Sequence, residues 1–137
     1  GNRLAATGGA GLFIDYGYEG PATGDTLQAV RDHEPCGIFE QPGNCDLTAH
    51  VDFSKVAEAF RDAGCTTAPL TGQGDFLQAL GIDYRTKALI EAAPHLEKNL
   101  LAARDRLIGS DAMGKLFKVL GVKSKGSPAL PGLEAED

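Results

Sequence analysis

Gly8-Gly9-Ala10-Gly11-Leu12-Phe13-Ile14-Asp15-Tyr16-Gly17 is the stretch on which the fold turns. Leu12, Phe13 and Ile14 make a short continuous apolar run, with glycines in front and a carboxylate behind, and such a run reads as a buried strand ending at Asp15. A strand of this kind belongs to the middle of a parallel sheet and needs a neighbour on each side. The rest of the chain supplies only one side convincingly. An apolar edge without a partner is a template for aggregation, so the pattern calls for more sequence than the 137 residues given. Asn2-Arg3-Leu4-Ala5-Ala6, which reads as the end of a helix, points the same way, as does a lone methionine at Met113.

Downstream, Tyr16 to Val51 is rich in Gly and Pro, with Gly20-Pro21, Gly24-Asp25 and Pro42-Gly43, and it reads as a long irregular segment with at most a helical turn near Leu27 to Arg31. Loops of that length inside a domain are usually functional or disordered. Phe53, Val56, Ala57 and Phe60 then recur at helical spacing, Asp52 stands at the N-cap, and Gly64 stands where a helix ends. Cys65 to Thr71 is β-compatible, but Pro69 confines it to a sheet edge. A short helix through Phe76, Leu77 and Leu80 follows, then helices over Tyr84 to Ala92 and His95 to Ile108, split by Pro94. Leu96, Leu100, Ala103 and Leu107 mark a buried face, and Leu116 to Leu120 gives the last strand. The order is that of a mixed α/β domain over residues 1–122, with 16–51 as a long loop segment and 123–137 as a flexible tail.

Composition narrows the partners. The chain is 42% hydrophobic and 23% charged, which is ordinary for a globular domain, and its net charge is -6. The richest basic cluster, Lys115, Lys118, Lys123 and Lys125, is too small for a nucleic-acid footprint, so a cationic ligand or basic peptide fits better. No apolar run approaches the ~18 residues of a membrane span. Three cysteines cannot pair completely, which favours a reducing compartment.

The densest polar stretch is Gln41 to Ser54, where Asp46, Thr48 and His50 alternate with Leu47, Ala49 and Val51. Extended backbone would put the three polar groups on one side. Gly9-Ala10-Gly11 is an ordinary turn, because nucleotide-binding glycines follow a strand and these precede one. His33-x-x-Cys36-x8-Cys45-x4-His50 offers two nitrogens and two sulfurs for zinc, at a spacing that matches neither ordinary knuckle. That rival makes the chain a metal-stapled binding module without catalysis. A stand-alone interaction domain is a third reading.

Five blocks in unbroken order carry a resemblance: Leu12-Phe13-Ile14-Asp15-Tyr16-Gly17; Asp25-Thr26-Leu27 with His33; Pro42-Gly43-x-x-Asp46-Leu47-Thr48-Ala49-x-Val51-Asp52-Phe53; Gln73-x-x-Phe76-Leu77-x-x-Leu80-Gly81-Ile82; and Met113-Gly114-x-x-Phe117. Together they resemble the MidA-like family of class I S-adenosylmethionine-dependent methyltransferases, which includes the mitochondrial methyltransferase of respiratory complex I assembly. The resemblance implies the C-terminal part of a Rossmann-like fold, a mostly parallel sheet with an antiparallel final strand and flanking helices. Leu12 to Asp15 becomes the fifth strand, Cys65 to Thr71 the sixth, and Leu116 to Leu120 the seventh, inserted between the other two. The cofactor, S-adenosylmethionine, is expected to be held by residues upstream of Gly1, so that the fragment alone is inactive.

The implied acceptor is a protein arginine, in a complex I subunit, in the mitochondrial matrix or a bacterial cytoplasm. A guanidinium cannot simply be deprotonated and has to be gripped by carboxylates in bidentate geometry. Asp46 and Asp15 are the expected catalytic residues. Tyr16, as an aromatic wall for a cation, together with His33, Thr48, Asp52 and Gln73 are the expected substrate-binding residues, and no metal is expected. His50 departs from the family pattern, which has an acidic residue there, and is not expected to be essential.

Overall fold

The computed structural model describes residues 1–21, 24–32 and 34–133. Its elements are α1 (Asn2–Thr7), β1 (Ala10–Tyr18), β2 (Gln28–Arg31), β3 (Glu34–Cys36), β4 (Asp46–Thr48), β5 (Val51–Asp52), α2 (Phe53–Asp62), β6 (Cys65–Thr67), β7 (Thr71–Gly72), α3 (Gln73–Ala79), α4 (Ile82–Ala92), a 3-10 turn (Pro94–Leu96), α5 (Glu97–Ile108), α6 (Met113–Leu116) and β8 (Phe117–Ser124).

The main sheet runs β5-β1-β8-β6, with β7 also paired to β8. The last strand in sequence lies in the middle: β8 is antiparallel to β1 from Ala10↔Lys123 to Tyr16↔Phe117, and antiparallel to β6 and β7 on its other side. This is the inserted final strand the sequence leads one to expect. Pro69 interrupts the opposite edge, separating β6 from β7, while the Ala68 N–H still reaches the Gly121 carbonyl at 2.9 Å.

β8 carries the core on both faces because its side chains alternate. Leu120 and Val122 pack with Phe53, Ala57 and Cys65 beneath α2, and Val119 packs with Phe76 and Leu133 on the other face. Helix α2 starts where Asp52 caps it, its Oδ1 accepting the Ser54 and Lys55 N–H groups at 3.0 and 3.3 Å. It stops before Gly64, whose φ of +85° no β-carbon tolerates well.

At the far end, α3, α5 and α6 meet through bare backbone. A β-carbon on Gly74 would lie 2.7 Å from the Ile108 carbonyl oxygen, and one on Gly114 would overlap that same oxygen and stand 2.5 Å from its carbon. Nothing larger than glycine lets these three helix ends approach.

Several expectations are corrected. β1 runs on through Tyr16, Gly17 and Tyr18, so Asp15 lies within the strand and not at its end. Nor is β1 buried: Leu12 is 48%, Phe13 38% and Ile14 42% exposed, because β5 pairs it only at Gly17 and Tyr18, and the rest of that edge has no partner among the described residues. Gln28–Arg31 is a strand, not a helical turn, and with β3 and β4 it builds a second, antiparallel sheet in the order β3-β2-β4. The period-two row ends at Thr48, since β4 belongs to this second sheet and β5 to the main one. The face at Leu96, Leu100, Ala103 and Leu107 is not buried: Leu96, in the 3-10 turn, is 40% exposed and Leu107, on α5, 37%. Leu100, Ala103 and Leu107 instead line an open apolar groove of about 380 Å³ against α3 and α4. The segment from residue 123 onward, expected to be flexible, is packed as far as Leu133, which is 7% exposed. Lys123 Nζ fastens it by donating to the Ser127 and Pro128 carbonyls at 2.8 and 3.1 Å.

Candidate functional site

Open α/β sheets take ligands outside the carboxyl ends of their parallel strands. Here that end is formed by the last residues of β1, the bridge from β6 to β7, and the start of β8. A cavity of about 410 Å³ opens there, lined by Gly17, Tyr18, Glu19, Leu70, Thr71, Gly72 and Lys118. Glu19 also borders a second cavity, of about 290 Å³, beneath α2. One wall therefore carries a carboxylate and the other an ammonium, and Lys118 Nζ is steadied by donating to the Lys115 carbonyl at 2.8 Å.

Asp15 sits opposite Lys118 in the β1–β8 ladder. Its Oδ1 accepts the Tyr16 N–H at 2.8 Å, and it lines a slot of about 290 Å³ between the open edge of β1 and Val51, Phe53 and Val56. Phe13, Asp15 and Gly17 alternate onto the face that α2 covers, as the Phe13–Phe60 ring contact at 5.0 Å marks. Tyr16 points the other way, 4.1 Å from the Phe117 ring and stacked on His50 at 6.3 Å and 15°. Asp15 and Tyr16 thus act on opposite faces of the sheet.

Asp52 is level with Tyr18 in the parallel β1–β5 pair, beside the cavity end of β1. Its carboxyl is held below the ordinary carboxylate range, chiefly by the Ser54 hydroxyl at 2.5 Å, then by the Lys55 and Ser54 N–H groups. Asp46 and Thr48 stand two apart on β4, on one face of the second sheet, both exposed. Gln73, 7% exposed, spends its amide elsewhere: Nε2 donates to the Leu107 carbonyl at 2.9 Å and so joins α3 to the last turn of α5. His33 lies outside the described residues. Among the described residues no three His, Cys, Asp or Glu side chains are placed to hold a metal, and His50 is engaged with Tyr16 instead of with the cysteines.

Glu19, Lys118 and His50 are the neighbours that sequence reasoning does not select. A strand read through Tyr18 would have put Glu19 at its carboxyl end. Lys118, a cation interrupting the apolar run from Phe117 to Val122, is legible in the same way. His50 entered the sequence reading through its alternation, the zinc spacing and its departure from the family pattern, none of which points to its stacking on Tyr16.

Comparison with known proteins agrees with this fold. The chain is 39% identical over 117 residues to the protein arginine methyltransferase NDUFAF7, mitochondrial, of Rattus norvegicus, covering 84% of this chain and 26% of the relative. The protein of the same name from Danio rerio is 37% identical over 122 residues, 88% of this chain and 28% of the relative. The chain spans about a quarter of the length of these curated relatives. Among solved structures, an uncharacterized COG1565 superfamily protein from Burkholderia thailandensis superposes with a TM-score of 0.83 at 32% identity, over 93% of this chain and 36% of that one. A second structure from the same organism, titled a "COG1565 superfamily member and likely methyl transferase" and bound to S-adenosyl-homocysteine, gives a TM-score of 0.80 at 32% identity, over 90% of this chain and 34% of that one. The family described as "Putative S-adenosyl-L-methionine-dependent methyltransferase" matches residues 1–71, half of the chain, and to that family the chain belongs.

Proposed function

We propose that this chain is the acceptor-side part of an S-adenosylmethionine-dependent protein arginine methyltransferase. The observation that carries the reading is the cavity at the carboxyl end of β1, formed where β8 inserts antiparallel between β1 and β6 and bordered by Glu19 and Lys118. The arginine activity named for the mitochondrial relatives supports a guanidinium acceptor. The resemblance of the five sequence blocks supports an acceptor in a respiratory complex I subunit, and a setting in the mitochondrial matrix or a bacterial cytoplasm.

On this reading the described residues hold only part of the donor site. A nucleoside is held by a glycine turn between the carboxyl end of a strand and a helix, with an acidic residue at the end of the next strand. Here Gly8 and Gly9 precede β1. The donor, which supplies an electrophilic methyl carbon when bound, is therefore held mainly by parts of the fold outside this chain, and coverage of about a third of the solved relatives is consistent with that.

The work of this chain lies with the acceptor. Carboxylates hold the guanidinium in a fixed plane so that one nitrogen is presented in line, which removes the orientational entropy of the encounter. Asp15 and Asp46 are the proposed catalytic carboxylates and Tyr16, Thr48, Asp52 and Glu19 the proposed acceptor-binding residues; of these only Glu19 lines the cavity, so the reading has the acceptor bring the others into play. Methyl transfer from radiolabelled S-adenosylmethionine by the full-length protein tests this. Asp46→Ala is expected to lower turnover by about tenfold to a hundredfold, the worth of one hydrogen bond to a charged group, while donor affinity stays within twofold. Unchanged turnover removes Asp46 from the site.

A further inference from the structure

The second sheet holds a pair of thiols that acceptor binding does not use. β3 and β4 are both antiparallel to β2 and lie on either side of it, so the connection between them, residues 37–44, has to cross β2. Cys36 ends β3 level with Ala29, and Cys45 immediately precedes β4. The two cysteines are the feet of the crossover. Their sulfurs stand 3.1 Å apart, with the Cys36 S–H donating to Cys45, and both are half-buried free thiols, whereas Cys65 is sealed in the core at 3% exposure. Ala29, at the centre of the small sheet, is only 2% exposed.

The crossover is held independently of the sulfurs. Glu40 accepts the Gly37 N–H at 3.1 Å and returns its own N–H to the Gly37 carbonyl at 3.0 Å. The Asn44 N–H donates to the Gln41 carbonyl at 3.0 Å, and the Arg31 guanidinium donates to the Gln41 side-chain oxygen. Two thiols on opposite ends of a constrained loop, already in contact, have lost most of the freedom that bridging them would cost.

We propose that Cys36 and Cys45 form a reversible disulfide across this crossover, made by exchange with a small-molecule disulfide of the glutathione disulfide class. The inference stands on the geometry of the pair and does not depend on the methyltransferase reading. Cys45, which accepts the thiol hydrogen bond, leads: it loses its proton to solvent, its sulfur attacks one sulfur of glutathione disulfide, the S–S bond breaks, and one glutathione leaves and takes a proton. Cys36 then loses its proton to solvent and attacks the Cys45 sulfur, expelling the second glutathione. Two protein thiols are oxidised and one glutathione disulfide is reduced to two thiols. Cys36 is the slower partner, since its thiol is pushed up to about 11, first by the hydrogen bond to Cys45, then by burial and by the charges of Cys45 and Glu40. Cys45 adjoins Asp46, so the bridge would fix the start of the strand that carries Asp46 and Thr48.

Peptide mapping of the full-length protein tests this directly. Trypsin cuts after Arg31 and Lys55 and at no residue between, which isolates both cysteines on one peptide, while Cys65 falls on the peptide that starts at Asp62. After equilibration with reduced and oxidised glutathione and trapping with an alkylating reagent, the 32–55 peptide is expected to be unalkylated and lighter by two hydrogens, with Cys65 alkylated. The equilibrium constant for forming the bridge should exceed that of the protein in guanidinium by about tenfold or more, because the fold holds the thiols at a higher effective concentration. Equal constants, or alkylation of both cysteines under oxidising ratios, overturn the proposal, as does zinc binding that leaves both thiols protected and unoxidised. Cys36→Ser should leave glutathione trapped on Cys45. No glutathione on Cys45 in this variant overturns the assigned order.

Discussion

Gly114→Ala tests whether the junction of α3, α5 and α6 is set by backbone contact. The new β-carbon would overlap the Ile108 carbonyl oxygen and stand 2.5 Å from the Ile108 carbon and 2.7 Å from the Gly109 oxygen, where ordinary contact begins at 3.4 Å. About 1 Å has to be found. No side chain can yield it, because every atom in the way is main chain. That main chain is tied by the Gly114 N–H to Gly109 carbonyl bond at 2.9 Å, the Gly109 N–H to Asp105 carbonyl bond at 2.8 Å, and the Gln73 amide on Leu107. Overpacking in cores costs about 1 to 3 kcal/mol when side chains can adjust. With backbone in the way the cost should reach about 3 kcal/mol or more, offset by about 1 kcal/mol gained in replacing a helical glycine by alanine. A net loss of about 2 kcal/mol lowers a urea midpoint by about 1 M at an m-value of about 2 kcal/mol/M. Gly121→Ala is the control: its β-carbon meets the Leu133 and Leu130 Cδ1 atoms at 2.5 and 2.6 Å, the far ends of flexible side chains, and it should cost under about 1.5 kcal/mol. Urea unfolding followed by far-ultraviolet circular dichroism compares the two. If Gly114→Ala unfolds at the wild-type midpoint, or no earlier than Gly121→Ala, the junction is not held by bare backbone and the reasoning is wrong.

Gln73→Ala should cost about 1 to 3 kcal/mol, the price of leaving the Leu107 carbonyl without its partner, with no change in KM for a methyl acceptor. A raised KM at unaltered stability would make Gln73 a substrate ligand instead. For Asp52 the sign follows from its lowered carboxyl value: the capped form is favoured above the unfolded value near 3.8 and the advantage is lost as pH falls through the lower folded value. The difference in melting temperature between wild type and Asp52→Ala should therefore be constant near neutrality and shrink only below about pH 4. A difference that closes at higher pH, or one that persists undiminished into strong acid, would show that Asp52 does not cap α2 as an ionised group.

What could be read from the sequence differed sharply between the two halves of the problem. Helix α2 was legible at both ends, because its apolar stripe, Asp52 and Gly64 all speak of local geometry. The insertion of β8 was legible only through resemblance, since strand order is a long-range property that no local pattern encodes. The second sheet was hidden because Gln28–Arg31 and Glu34–Cys36 are too short to show a period. The burial expected of Leu12 to Ile14 and of the α5 face failed for one reason: apolar periodicity reports which face seeks cover, and says nothing about whether the cover belongs to the same stretch of chain. For the site, residues with a local job, such as Asp52, could be placed from sequence. Glu19 and Lys118 owe their proximity to a cavity bounded by three separate segments, which spacing along the chain cannot reveal.

The position of β8 also sets an order of events during synthesis. Ala10 pairs with Lys123 and Tyr16 with Phe117, so β1 waits for nearly the whole of this sequence to emerge before its longest ladder can form. Until then β1 and β6 have no common partner and the apolar residues Leu12, Phe13 and Ile14 are open to any passing edge. A stop codon anywhere between β6 and Phe117 would therefore do more than shorten the chain. It would remove the one strand that joins β1 to β6, turning a single sheet into two loose edges that a quality-control protease or another nascent chain could seize.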